Sequence, residues 1–326
     1  MMPGGERSDS WSRYWASGAL HSCVGSFDDN YDDEIGAFWR AVSAPLVGTE
    51  RVLDVATGNG ALPRLLVDML GAAGRLPRVE AIDLAQISPP WLAQLPPEHA
   101  ARLRFHPRVA VEGLPFADGE FDLVISQYGL EYSDLSTSVD ELLRVMKVGA
   151  AVALVLHHAH SLPVRLGRAE VVEIDWLLQA GGLLQRARRL LPYLARLGTA
   201  QGMASVQRDP EASKARSHYN ESMRQLQHRA GNTEAADILF DTQSSVGELM
   251  QRAAALGAAA AQVRLDGLRD SLGQARLRQA ELAAHALDSA AVERLGRRLA
   301  ARDGLHCEIA ELRVRGELFG WSLRTS

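Results

Sequence analysis

Five short apolar runs between residues 51 and 157 constrain the fold of this chain more than any other feature of its sequence. They read RVLDVATG, PRVEAIDLA, LRFHPRVAVE, FDLVISQ and AAVALVLHH, and segments with helical periodicity separate them. Continuous apolar runs are typical of strands buried in a parallel sheet, in which the crossover connections are usually helices. The pattern therefore predicts an α/β fold with a doubly wound, Rossmann-like sheet.

The rest of the chain divides around this core. Residues 161–287 show only helical periodicity, rich in alanine, leucine and arginine, with breaks at Gly181-Gly182, Pro192 and Asp209-Pro210. Strand character returns in HCEIAELRV and ELFGWSLR, which Arg315-Gly316 joins into a predicted hairpin. We predict four segments: an N-terminal helical lid (1–50), the core (51–160), a helical cap insertion (161–287), and a last helix with a terminal hairpin that completes the sheet (288–326).

Composition and charge exclude several classes of protein. The residues are 47% hydrophobic and 23% charged, which is typical of a globular chain, and the net charge of −5 disfavours a nucleic-acid partner. No apolar run approaches the roughly 18 residues of a membrane span, and the N-terminal sequence lacks the order of a signal peptide. Two cysteines are too few for a disulfide framework. We therefore expect a cytoplasmic protein without a membrane partner.

The first apolar run leads directly into a turn that carries glycine. In RVLDVATGNG the strand ends near Asp54, and Gly58 and Gly60 follow in the turn. Glycine lets the backbone bend sharply and lets a ligand approach the main chain, and ligands bind at the carboxyl edge of a parallel sheet. Packing of a helix against the strand could also account for these glycines, so this motif by itself leaves both explanations open.

The second run ends in a carboxylate, Asp83, some twenty-odd residues beyond the glycine turn. A carboxylate at this point of a βαβ unit can accept hydrogen bonds from the hydroxyls of an adenosine ribose. The turn has neither the GxGxxG pattern that binds a pyrophosphate nor a lysine that would bind a triphosphate. An adenosine without a pyrophosphate is therefore the ligand that this pattern favours.

Four blocks of this region occur in the order and at the spacing of a known family: VLDVATGNG, AIDLA, VEGLPFADGEFDLVISQYGLEYSD and ELLRVMKVGAAVALV. With these blocks the chain resembles the class I S-adenosylmethionine-dependent methyltransferases, in particular the branch that includes the ubiquinone/menaquinone biosynthesis enzymes. The blocks span about a third of the chain. The resemblance implies S-adenosylmethionine (SAM) as cofactor, S-adenosylhomocysteine (SAH) as product, no metal, and a seven-stranded sheet whose last strand is antiparallel.

The resemblance also implies roles for the residues that match the family's motifs. Asp54 and the turn Gly58-Asn59-Gly60 would hold the methionine portion of the cofactor, and Gln127 would lie near the methionine end. Asp83 would bind the ribose. In this respect the resemblance agrees with the reading of Asp83 from its position after the strand.

On the adenine side the chain departs from the family in one position. Leu84 would cover the face of the adenine, and the Val111 amide would contact its edge. Where the family usually has an acidic residue that contacts the adenine amino group, this chain has Ala110. Either Glu112 replaces that contact or the contact is missing.

The candidate catalytic residues lie at strand ends on the predicted cofactor edge. Methyl transfer from a sulfonium mainly requires the nucleophile to be aligned and water to be excluded, but a hydroxyl acceptor would also need a base. His157, after the fifth run, is our first choice for the base, and Glu131, after the fourth, is the second. The alternatives are that His157 is only a polar exit from a buried strand and that Glu131 caps the next helix.

The N-terminal segment is acidic and rich in aromatic residues. Ile35, Phe38, Trp39 and Val42 form one helical stripe, and the cluster from residue 28 to residue 33 supplies carboxylates for its N-terminus. The aromatic residues before this helix either close over the cofactor or pack the segment against the sheet. Tyr31 is the one for which we expect contact with the cofactor.

The sequence therefore predicts a methyltransferase that acts on a small molecule, aromatic or polyketide-like, with oxygen slightly favoured as the methylated atom. The cap would bind the substrate. Its basic stretch, residues 161–230, would either attract a carboxylate or a carrier-bound acceptor or simply face solvent. The apolar face of the cap could instead form a homodimer. The alternative functions are a methyltransferase for protein or RNA and an inactive SAM-binding partner subunit.

Overall fold

The computed structural model describes residues 4–22, 30–301 and 304–326, and these residues form two compact units. The first unit combines the chain up to Val164 with Ala284–Ser326, and the second is Arg165–Ala283. The chain thus leaves the first unit after its fifth strand and returns to it before its last helix.

The first unit is built on a seven-stranded sheet with the order β3-β2-β1-β4-β5-β7-β6. Strands β1 to β5 are parallel, and β7 runs antiparallel to both β5 and β6. This topology confirms the predicted doubly wound sheet with an antiparallel last strand. The strands are β1 (Arg51–Val55), β2 (Arg78–Asp83), β3 (Leu103–Pro107), β4 (Phe121–Gln127), β5 (Met146–Leu156), β6 (Cys307–Val314) and β7 (Glu317–Thr325).

Helices cover both faces of this sheet, which is why its central strands are apolar throughout. Val52 and Leu53 are both fully buried, but they belong to different hydrophobic clusters on opposite faces. The helices of the first unit are α1 (Gly4–Trp15), α2 (Glu34–Ser43), α3 (Ala61–Leu70), α4 (Pro97–Ala100), α5 (Leu135–Val145), the start of α6 (Leu162–Leu178), the end of α11 (Ala258–His285), and α12 (Ser289–Ala301).

Helix α2 begins where the acidic cluster was expected to supply its cap. The Asp33 carboxylate accepts hydrogen bonds from the backbone N–H groups of Ile35 and Gly36 and so satisfies two donors of the first turn. The first two acids of the cluster, Asp28 and Asp29, lie outside the described residues. The cap therefore comes from the last acid of the cluster.

The C-terminal hairpin owes its tight turn to two residues with left-handed backbone conformations. Arg315 has φ 50° and Gly316 has φ 85°, as a two-residue turn that follows the twist of its strands requires. The hairpin places β7 beside β5, where Leu323 pairs with Leu154. It thereby completes the sheet on the side away from β3.

The second unit is entirely helical among its described residues. It contains most of α6 and α11 together with α7 (Leu183–Ala195), α8 (Ala200–Gln207), α9 (Pro210–Ala230) and α10 (Ala236–Leu256). The chain breaks as predicted at Gly181-Gly182 and at Pro210, which Asp209 precedes as N-cap. The predicted break at Pro192 is wrong, because this proline lies inside α7, one turn before its end at Ala195. The proline lacks the N–H that would donate to the Arg188 carbonyl, so α7 continues through it with one helical hydrogen bond fewer.

Most of the arginines of the basic stretch have partners within the second unit. Arg165 pairs with Glu234 at 2.8 Å, and Arg188 pairs with Asp266. Arg186 donates to the Ser222 hydroxyl at 3.0 Å. These contacts occupy much of the positive charge that the sequence concentrates there.

Among the described residues, no helix combines the length and the apolar character that a membrane crossing requires.

Candidate cofactor site

Left-handed backbone conformations mark the carboxyl ends of the central strands. Ala56, directly after β1, has φ 55°, and Tyr128, directly after β4, has φ 53°. Gly58 and Gly60 also have positive φ, at 55° and 78°, so the turn after β1 needs glycine for conformational reasons. A side chain at Gly129 would clash, since its Cβ would lie 2.3 Å from that of Ala56. The sharp turns bring the ends of β1 and β4 together at one edge of the sheet.

A pocket opens at this edge, with about 1040 Å³ of empty space including its mouth. The predicted site residues on its wall are Tyr31, Asp54, Asp83, Leu84, Val111, Glu112 and Gln127.

Asp54 carries an unsatisfied acceptor into this pocket. The residue is 1% exposed, and its Oδ2 atom is buried without a hydrogen-bond partner among the described residues. Burial, opposed by a hydrogen bond from Thr57 and aided by the nearby Asp83 charge, raises the pKa of Asp54 to about 8. A ligand that brings a positive charge to this oxygen would favour the ionised carboxylate.

Gln127 carries an unsatisfied donor into the same pocket. Its side-chain oxygen accepts a hydrogen bond from the Trp39 indole at 2.5 Å, whereas its Nε2 atom is buried without a partner among the described residues. An open acceptor on Asp54 and an open donor on Gln127 match the ammonium and the carboxylate of an amino acid. The methionine portion of SAM has both groups.

Asp83 holds the loops around the pocket in place. Its Oδ2 atom accepts the Gly58 N–H and its Oδ1 atom accepts the Ala85 N–H, both at 2.8 Å. Each carboxylate oxygen has a second lone pair, so both remain able to accept a ribose hydroxyl. Burial raises the pKa of Asp83 to about 6, against the lowering effect of the two backbone bonds.

The expected adenine contacts lie on the wall beyond Asp83. Leu84 is 37% exposed, whereas Val111 is buried. One carboxylate oxygen of Glu112 accepts the Asp134 N–H at 2.9 Å, and Asp134 in turn caps helix α5. The cap that was considered for Glu131 is thus supplied by Asp134. Ala110 also lines the pocket and presents no polar side chain there.

Helix α1 forms a wall of the pocket, whereas the sequence predicted a cofactor contact only from Tyr31 in this N-terminal segment. Arg7, Trp11 and Trp15 line the pocket, and the Ser8 hydroxyl donates to the Leu84 carbonyl at 2.9 Å. The Arg7 guanidinium donates to the Tyr132 carbonyl at 2.5 Å. The polar and aromatic residues of α1 alternate at helical spacing, which was the available signal for a helix that packs over a site.

The glycine turn itself lies behind this helix. A Cβ on Gly58 would approach the Trp15 ring to 2.5 Å, so the glycine allows the indole to pack against the backbone. Asn59 is 1% exposed and donates to the backbone carbonyls of Trp15 and Ala19 at 2.9 and 2.8 Å. Gly58, Asn59 and Gly60 therefore support the pocket from outside its wall, and their direct contact with the cofactor stays a prediction.

The two candidate catalytic residues contact each other, away from the pocket wall. His157 Nδ1 lies 2.7 Å from Glu131 Oε1, and the His157 and Glu131 side chains are 3% and 0% exposed. Neither residue lines the pocket, but Tyr128 and Tyr132, which contact the imidazole, both do. Proton transfer by His157 stays a prediction that this arrangement does not favour.

Comparison with known proteins identifies the domain that carries this pocket. Residues 52–149 match a family described as a methyltransferase domain. This part of the chain is a methyltransferase domain. The match confirms the predicted resemblance to the SAM-dependent methyltransferases, whose cofactor is SAM.

Curated relatives match the same part of the chain. The ubiquinone/menaquinone biosynthesis C-methyltransferase UbiE of Xylella fastidiosa (strain M12) is 34% identical over 108 residues, which are 33% of this chain and 42% of that protein. The uncharacterized protein Rv1405c of Mycobacterium tuberculosis is 35% identical over 109 residues, 32% of this chain and 36% of its own. The chain thus spans less than half the length of these relatives.

Solved structures resemble it at lower identity. The [4+2]-cyclase SpnF aligns with a TM-score of 0.37 at 21% identity, over 48% of this chain and 61% of its own. The Burkholderia thailandensis 1,6-didemethyltoxoflavin-N1-methyltransferase, solved with 1,6-didemethyltoxoflavin and SAH, gives 0.37 at 19% identity over 48% and 66%.

The residues of the pocket fit SAM. Asp54 Oδ2 and Gln127 Nε2 are an acceptor and a donor without partners among the described residues, and Asp83 can accept two further hydrogen bonds. Trp11 and Trp15 add aromatic faces to the wall, which attract cations. Both charged ends of the cofactor's amino acid and its sulfonium would therefore meet complementary groups.

This electrostatic arrangement predicts the pH dependence of cofactor binding. Asp54 must release a proton to bind an ammonium, and its pKa of about 8 means that it is mostly protonated at pH 6. We expect the affinity for SAH to rise about tenfold or more between pH 6 and pH 8, measured by calorimetric titration in buffers of different ionisation enthalpy. An affinity that is constant over this range would contradict the placement of Asp54 beside a positive charge.

Proposed function

We propose that this chain transfers the methyl group of SAM to a small-molecule acceptor. The observation that carries the proposal is the pocket at the carboxyl edge of the sheet, where Asp54, Asp83 and Gln127 present polar groups to a ligand. The methyltransferase domain around the pocket supports the same chemistry. The bound cofactor supplies an electrophilic methyl group, so the protein chiefly needs to bind, align and exclude water.

In this proposal each polar residue holds one part of the cofactor. Asp83 accepts hydrogen bonds from the ribose hydroxyls, while Asp54 binds the ammonium and Gln127 the carboxylate of the methionine portion. Leu84 and Val111 contact the adenine. Because β1, β2 and β4 carry Asp54, Asp83 and Gln127, the rigid sheet fixes their relative positions.

Aromatic side chains line much of the pocket. Trp11, Trp15, Tyr31, Tyr128 and Tyr132 all line it. Flat rings favour flat ligands, because stacked or edge-on aromatic pairs add to the burial of apolar surface. We therefore propose an aromatic acceptor. Tyr31 is 7% exposed and lies on the pocket wall, in keeping with its proposed contact with the ligand.

Oxygen is the acceptor atom that we propose to test first, with nitrogen and carbon as alternatives. The preference rests on the histidines that follow β5 as potential bases, although His157 does not reach the pocket wall. A nucleophile that is already ionised or strongly activated would need no base. The atom that carries the new methyl group therefore reports on whether a base acts here.

We further propose that the helical unit Arg165–Ala283 determines acceptor choice. The ion pairs of Arg165 with Glu234 and of Arg188 with Asp266 reduce the free positive charge of that unit, which favours a neutral or singly charged small molecule over RNA. RNA binding would appear as affinity that falls steeply with salt. A homodimer through this unit stays a prediction, to be tested by light scattering.

The proposal is tested in two steps. Calorimetric titration of the purified protein with SAM and with SAH should show micromolar binding of both. Incubation with methyl-labelled SAM and a panel of phenols, hydroxyquinones, heteroaromatic amines and carrier-bound acyl groups should then transfer label to one class. Absence of SAH binding by the folded protein would overturn the proposal. Binding without transfer to any acceptor class, including proteins and RNA, would instead favour an inactive partner subunit.

A further inference from the structure

The contact between Glu131 and His157 is a buried ion-pair geometry that the proposed chemistry does not use. Glu131 Oε1 accepts both the His157 ring Nδ1–H at 2.7 Å and the His157 backbone N–H at 2.8 Å. Glu131 Oε2 is buried and has no hydrogen-bond partner among the described residues. All of the polar contacts of this carboxylate in the described structure therefore serve to fix His157.

A buried pair of this kind contributes little net free energy to folding, so stability alone does not explain it. Removing a carboxylate from water costs free energy that one pair of hydrogen bonds offsets only in part, and apolar residues of similar volume often stabilise a protein as well or better. The Glu131–His157 pair fixes the orientation of the imidazole. A pair of apolar residues would not fix the orientation of a side chain in this way. The rings around His157 show where that orientation matters.

Two tyrosines connect His157 with the pocket. The Tyr128 ring lies against the imidazole with centroids 4.3 Å apart and planes 33° apart, and the Tyr132 ring meets it edge-on at 5.8 Å. Both tyrosines line the pocket, while His157 and Glu131 do not. His157 thus lies directly behind the part of the pocket wall that Tyr128 and Tyr132 form.

Tyr128 is also constrained by its backbone and by the residue on its other side. Its φ of 53° is uncommon for a residue with a large side chain, and its N–H donates to the Val155 carbonyl at 2.7 Å, which holds it in register with β5. A Cβ on Gly320 would lie 3.3 Å from the Tyr128 ring, so the glycine makes room for it. The strained backbone, the imidazole and Gly320 together define one position for this ring.

We propose that Tyr128 contacts the bound cofactor and that the Glu131–His157 pair is a positioning device that acts on the pocket through Tyr128. This inference rests on the proposed function, because it concerns the same pocket. It assigns His157 a role that needs an aromatic ring in a fixed orientation and needs no proton transfer.

The test is a double-mutant cycle in SAH binding, measured by calorimetric titration on the full chain. Tyr128→Leu and His157→Ala are each expected to weaken SAH binding about fivefold, because each removes the same aromatic contact. The double variant should be no weaker than either single one, since the second change removes nothing further. His160→Ala is the matched control, because that neighbouring histidine is exposed and does not line the pocket.

A rescue variant separates ring placement from charge. Glu131→Gln/His157→Phe keeps an aromatic ring at residue 157 and removes the buried carboxylate that would otherwise lose its partner. It should bind SAH within about twofold of the original protein. Thermal unfolding of every variant establishes that it is folded, and Glu131→Gln alone serves if His157→Ala does not fold, with the same direction of change expected at smaller size.

Three results would overturn the inference. They are additive effects of Tyr128→Leu and His157→Ala, an SAH affinity of the rescue variant as weak as that of His157→Ala, and an unchanged affinity in Tyr128→Leu. These outcomes are distinct from failure of the proposed function, in which the unaltered protein itself would not bind SAH.

Discussion

Replacing Asp83 by alanine is expected to weaken the binding of SAM and SAH by at least about 100-fold. Two hydrogen bonds from ribose hydroxyls to a carboxylate contribute about 1.5–3 kcal/mol each, and a loss of about 3 kcal/mol corresponds to more than two powers of ten in affinity. The change also leaves the Gly58 and Ala85 N–H groups without their acceptor. Calorimetric titration with both ligands measures the effect.

Two further variants distinguish ribose binding from loss of the loop. Asp83→Asn keeps an acceptor oxygen for one backbone N–H but removes the charge, so it should lie between the original protein and the alanine variant. Asp118→Ala, which removes an 81% exposed carboxylate paired with Arg144, should bind SAH normally. A folded Asp83→Ala protein with unchanged SAH affinity would contradict the assignment of the ribose to Asp83.

Replacing Asp54 by asparagine is expected to move stability and affinity in opposite directions. The pKa of Asp54 is raised from 3.8 to about 8 by burial. For an acid with a raised pKa in the folded state, the stability present below pH 3.8 is lost as the pH rises towards 8, because only the unfolded chain ionises freely. At pH 7 an asparagine cannot ionise in the unfolded chain, so the variant does not lose this stability. We therefore expect Asp54→Asn to stabilise the ligand-free protein by about 2 kcal/mol.

Cofactor binding should respond in the other direction. Asparagine cannot supply the negative charge that an ammonium requires, so SAM and SAH affinity should fall about 30-fold, which corresponds to about 2 kcal/mol. Thermal unfolding without ligand should show a midpoint several degrees higher than that of the original protein. A variant that is both less stable and normal in SAH affinity would show that Asp54 is a structural residue.

The positions of three pocket residues could be predicted from the ends of the strands that carry them. Asp54, Asp83 and Gln127 were placed at the carboxyl edge from the apolar runs before them, and the structure brings all three to one pocket. Parallel strands make this inference possible, because their carboxyl ends meet at one edge whatever the details of the helices. The roles proposed for the three residues await the titrations described above.

The residues that sequence reasoning missed are those that depend on distant packing. Trp11 and Arg7 reach the pocket only because α1 crosses the loops after β1, β2 and β4, through contacts such as that of Ser8 with Leu84. Nothing in the local pattern of α1 specifies where a helix of that kind docks. Pro192 shows the converse, because the local rule predicted a break, whereas α7 continues to Ala195 with Leu190 and Leu191 buried beside the proline.

The sequence by itself determined the parallel core of the sheet and the methyltransferase domain, since these depend on apolar periodicity and on short motifs with fixed spacing. The antiparallel last strand was an implication of the family resemblance, which the structure confirms. Only the tertiary structure decided that Glu131 and His157 form a buried pair behind the pocket. Their positions after β4 and β5 allowed them to reach the pocket, but side-chain direction at a strand end depends on the neighbouring rings of Tyr128 and Tyr132. Such neighbours come from separate segments, and their packing is settled only when the chain has folded.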